Sequence, residues 1–155
     1  MKSKILALLL AFASGFLLTV IISIQAFAAD KAQCLITLST AKRFEDKQIG
    51  EGGSASKIYK AYEEAFNSSD SIKKEDYEWL LQNGTPAGKV YGAMLLRGTG
   101  NADDKNSFGK LSKDESKIDF QSGCEVSKDT VSAIAKSFIR SGDYFGTKYL
   151  KKKEK

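Results

Sequence analysis

The strongest constraint on this 155-residue chain is the stretch at residues 5–29, which carries no charge, follows Lys2 and Lys4, and ends at Asp30 and Lys31. Positive charge ahead of an apolar run keeps the N-terminus in the cytosol and sends the rest of the chain across a membrane. Everything beyond the run is therefore expected to fold outside the cytosol. Ala26-Phe27-Ala28 has the small-x-small pattern of a signal-peptidase site, so residues 1–28 read as a signal peptide cut between Ala28 and Ala29. Residues 5–24 are also long enough to span a bilayer as a helix, which makes an uncleaved anchor the alternative. The cleaved form would be periplasmic or secreted. The anchored form would sit in the inner membrane with its domain outside the cytosol and touch the membrane only through this segment.

Removing the segment leaves roughly 127 residues, a length suited to one domain. With 42% hydrophobic and 28% charged residues and a single proline, the chain has the composition of a folded domain. Residues 29–150 read as that domain and 151–155 as a basic tail. The net charge of +5 falls to +3 without Lys2 and Lys4, and most of the excess lies in the tail. A solvated tail, not a nucleic-acid contact, is the expectation.

The chain has no histidine. That removes the commonest general base near neutral pH, the commonest transition-metal ligand and the usual partner of a nucleophilic Ser or Cys. No cofactor is expected. Cys34 and Cys124 both fall in the exported part, where a disulfide persists, and a bridge closing a loop of about 90 residues would stabilise the fold by roughly 4 kcal/mol. Neither cysteine has an activating histidine, and no Cys-x-x-Cys pair exists.

Along the domain, the apolar run at 34–38 leaves strand and helix open. Glycines at 50, 52 and 53 mark a loop, after which Ser54 is a plausible cap for a helix with Ile58, Ala61, Tyr62, Ala65 and Phe66 on one face. The polar run at 67–71 ends it and caps a second helix carrying Tyr77, Leu80 and Leu81. Gly84-Thr85-Pro86 closes that helix and opens a third at Pro86, where Gly88 and Gly92, four apart, invite close backbone approach. Residues 98–117 read as a long loop with a turn near 108–111. Residues 117–121 alternate like a half-buried strand, and Ser127 is placed to cap a last helix with Val131, Ile134, Ala135, Phe138 and Ile139. Tyr144, Phe145 and Tyr149 are expected to pack back onto the body.

The resulting fold class is mainly α: a small domain of about four short amphipathic helices, with a minor two-stranded element if 34–38 are extended and pair with 117–121. Glycine-rich turns lack the phosphate-loop pattern, and the Asn101–Asn106 run lacks calcium-loop spacing. The functional expectation is a non-enzymatic envelope domain that binds an unidentified protein or envelope component. The alternative is a small hydrolase of envelope polymer using carboxylates among Glu63, Glu64, Glu75, Asp76 and Glu78.

Overall fold

The structure, a computed structural model, describes residues 31–152. The segment expected to direct export, with Ala26, Ala28 and Ala29, and the end of the basic tail lie outside the described residues. In chain order the elements are α1 (Gln33–Ser39), β1 (Phe44–Ile49), β2 (Ser54–Ala55), α2 (Lys57–Asn67), α3 (Lys74–Asn83), α4 (Pro86–Gly98), α5 (Asp104–Phe108) and a 3₁₀ turn (Gly109–Leu111). They continue with β3 (Lys117–Gly123), β4 (Glu125–Thr130), α6 (Val131–Ser141), β5 (Asp143–Tyr144) and β6 (Thr147–Lys148).

The fold is mixed α/β, which corrects the mainly α expectation. Four strands form a sheet in the order β2-β1-β3-β4, with β1 and β3 parallel and the other pairs antiparallel. Residues 34–38 are helical, and β3 pairs with β1 and β4 instead. The physical reason is that β1 (FEDKQI) and β4 (EVSKDT) have no period-2 apolar pattern. Their order comes from pairing with β3, a non-local term that side-chain alternation does not report.

Local signals are sound where the backbone alone decides. Thr85 caps α4 by accepting from the Gly88 N–H at 3.2 Å, with Pro86 at the first helical position. Where a short strand takes the residues before a helix, the cap moves along the chain. Ser54 pairs with Ile49 in β2, so Ser56 caps α2, accepting from the Tyr59 N–H at 2.8 Å. Ser127 pairs with Phe120 in β4, so Thr130 caps α6 by accepting from the Ala133 N–H at 3.1 Å.

The core centres on α4, which is buried nearly all round, with Lys89 and Arg97 as its charged residues. Its glycines permit this. A Cβ on Gly88 would lie 2.6 Å from the Leu38 carbonyl oxygen, and one on Gly92 would lie 2.8 Å from the Leu81 nitrogen. Close backbone approach at both positions is as the sequence leads one to expect. Tyr91 then ties α4 to the sheet: its hydroxyl donates to the Glu45 carbonyl at 2.9 Å and accepts the Glu45 N–H at 3.0 Å. Beyond α4, Phe108 of α5 stacks on Phe138 of α6 at 4.6 Å, so part of the expected loop is core.

Gly92→Ala should destabilise the fold by roughly 1–3 kcal/mol, because the backbone of α3 has to move. Gly109→Ala, where a Cβ meets nothing within 4 Å and φ is helical, should be neutral or slightly stabilising. Thermal unfolding of the two variants side by side checks both.

Candidate functional site

The β5–β6 hairpin is closed by Phe145 and Gly146, both at positive φ, 47° and 81°. Such a two-residue turn asks for Asn, Asp or Gly at its first position. Phe145 is the one non-glycine residue at positive φ among the described residues, and that conformation costs an L-residue about 1–2 kcal/mol. Its ring is not repaid by burial, being 74% exposed, the most exposed large apolar side chain among the described residues. It lies parallel to Phe120 at 6.1 Å and edge-on to Tyr144 at 4.8 Å. Tyr144 and Tyr149 pack inward as expected, whereas Phe145 does not.

Phe145 lines two adjoining clefts. The first, of about 510 Å³, is also lined by Phe120, Ser122, Glu125, Val126 and Ser127. Val126 is itself half exposed. The second, of about 410 Å³, runs along α6 past Asp129, Ala133, Ser137, Arg140, Ser141, Asp143 and Tyr144. The Tyr144 hydroxyl donates to Asp129 at 2.8 Å, and burial together with that carboxylate raises the phenol above its ordinary range. The clefts thus combine an aromatic floor, an exposed ring, hydroxyls and carboxylates, with the Tyr144 hydroxyl hydrogen-bonded to both Asp129 and Ser127.

The residues singled out by sequence fall elsewhere. Cys34 is buried in α1, within electrostatic reach of Glu64 and Tyr77, and burial, helped by Glu64, pushes its thiol pKa up. Cys124 is exposed in the β3–β4 turn, where Gly123 at φ 55° supplies the positive φ that a two-residue hairpin needs. The structure holds the two as free thiols and does not join them. The candidate carboxylates are scattered over α2 and α3: Glu63 pairs with Lys47 at 3.1 Å, Glu78 with Lys74 at 3.4 Å, and Asp76 accepts from the Lys73 N–H at the start of α3. Asp103 caps α5 by accepting from the Asn106 N–H. Among the described residues no cluster of three metal-ligating side chains occurs, and no helix is long and apolar enough to cross a membrane.

One buried carboxylate has no signature in the sequence. Glu45 on β1 accepts from Ser56 Oγ at 2.5 Å and pairs with Arg43 at 3.5 Å. Ser56 Oγ also accepts the Tyr59 N–H, so both groups are spent joining β1 to the start of α2. The available sequence signal for the Phe145 surface is Tyr144-Phe145-Gly146-Thr147, an x-Gly turn dipeptide between short β-prone residues. Compared with known proteins, the chain matches no family model, no curated protein and no solved structure.

This geometry has two measurable outcomes. Phe145→Asn should raise the unfolding midpoint by a few degrees, since relief of left-handed strain exceeds the loss of a mostly exposed ring contact. Iodoacetamide should label Cys124 in the native protein and Cys34 only on unfolding. Intact mass reads this, and a protein labelled at both positions only after reduction would instead carry the Cys34–Cys124 bridge.

Proposed function

We propose that this chain is an exported, non-enzymatic domain of the periplasm or cell envelope, and that it binds another macromolecule through the face around Phe145. The observation that carries the reading is Phe145 itself, an aromatic ring held three-quarters exposed at a strained backbone position beside a cleft. Strain of that kind persists where it is part of a function, and large exposed aromatics are the side chains that anchor interfaces. Export is supported by the charge-free segment behind Lys2 and Lys4, and a binding role by a chain without histidine.

A photo-crosslinking amino acid placed at position 145 in the native host should give a discrete covalent adduct in envelope fractions. The same group at exposed Lys110, on the 3₁₀ turn, should give none. No adduct at 145, or equal adducts at both positions, would end this reading.

A further inference from the structure

β4 is the long open edge of the sheet. It spans six residues and pairs only with β3, while the other edge, β2, is two residues long. Among the described residues no strand covers its outer side, and residues 125–128 are exposed. An uncovered edge presents main-chain N–H and C=O groups at strand spacing, and the chemistry that answers them is another extended polypeptide.

The register fixes which side chains that polypeptide would meet. Antiparallel partners share a face, so Glu125, Ser127 and Asp129 lie on the face of Ser122, Phe120 and Ile118. The Tyr144 hydrogen bond to Asp129 is made on that same face. Val126 and Lys128 alternate to the other face, with Val126 still bordering the first cleft. The face beside the clefts therefore carries Glu125, Asp129 and Asp143 against one base, Arg140, in a chain whose net charge is positive.

A second copy of the chain is a poor occupant. Two β4 strands paired about a two-fold axis keep their faces. Centring on Ser127 then sets Glu125 against Asp129 twice, and centring on Lys128 sets lysine against lysine; like charges directly opposite are destabilising. Centring on Val126 runs the pairing into the hairpin turn at once.

We infer that the β4 edge accepts an extended cationic segment of a partner protein as a fifth strand. Lysine or arginine at its positions i and i+4 would face Asp129 and Glu125, and an apolar residue at i+2 would lie opposite Ser127 against Phe120 and Phe145. The pattern is symmetric, so it holds for either strand direction. This rests on the interaction reading above and specifies its partner.

The test uses the protein as its host processes it and a fluorescent peptide with the core Lys-Thr-Leu-Thr-Lys, followed by anisotropy at low salt. Binding should be at least roughly tenfold tighter than for the Glu-Thr-Leu-Thr-Glu counterpart, and Glu125→Lys, at an exposed site, leaves one acid and one base on the face and should erase the difference between the two peptides. N-methylation of the peptide's alternate edge-facing amides should abolish binding. No binding of the lysine peptide, binding indifferent to N-methylation, or sedimentation as a dimer that Glu125→Lys alters would overturn the inference. A crosslink at position 145 that survives such a failure would leave the interaction reading standing and sink only the strand addition.

Discussion

The fold depends on how α4 is seated. A helix with ten of its thirteen residues buried has to be surrounded, and α1, α3 and the segment at Leu150 close around it at Gly88, Gly92 and Gly98, where their backbones come within reach of its own. Any side chain there would push them off. The Tyr91 hydroxyl then fixes the sheet, because it satisfies both the N–H and the carbonyl of Glu45, two groups that β1 would otherwise bury unpaired. Helical layer and sheet are thereby joined at Tyr91, as they are at the Glu45–Ser56 contact.

From Tyr91 a run of rings leads outward. Phe44 lies edge-on to Tyr91 at 5.3 Å and beside Phe120 at 5.2 Å, and Phe120 lies parallel to Phe145 at the surface. Tyr144 braces the same run, held by its hydroxyl on Asp129. The exposed ring at the end of this run has Phe120 and Tyr144 on its inner side.

How much of this is legible in the sequence depends on the range of the force involved. Thr85 and Pro86 act on their own helix, and the start of α4 can be read from them. The glycine spacing in α4 can be read too, because it has no use other than close approach. β1 and β4 cannot: with one or two apolar residues each, they are strands because β3 lies beside them, and the pairing of Phe44 with Phe120 spans most of the domain. Two helix starts are displaced with them, since Ser54 and Ser127 have good capping side chains but are drawn into ladders. The candidate site is hidden for the same reason. Phe145 in isolation is an ordinary core residue, and only the φ imposed by the β5–β6 pairing turns it outward.

The charges on β4 make sense once the edge is considered as a surface in its own right. An open six-residue edge invites self-association, and natural sheets suppress it with charged side chains on the strand. Here Glu125, Lys128 and Asp129 oppose the two centred self-pairings of β4 that keep a useful overlap. Repulsion between identical copies is also selection among different ones: the spacing that sets acid against acid in a dimer sets acid against base when the incoming strand is cationic at alternate face positions. The hydroxyl of Ser127 between the two carboxylates leaves room on that face, and Phe120 and Phe145 supply the apolar contact there. One set of side chains thus accounts for a sheet edge that stays open and for a preference in what closes it.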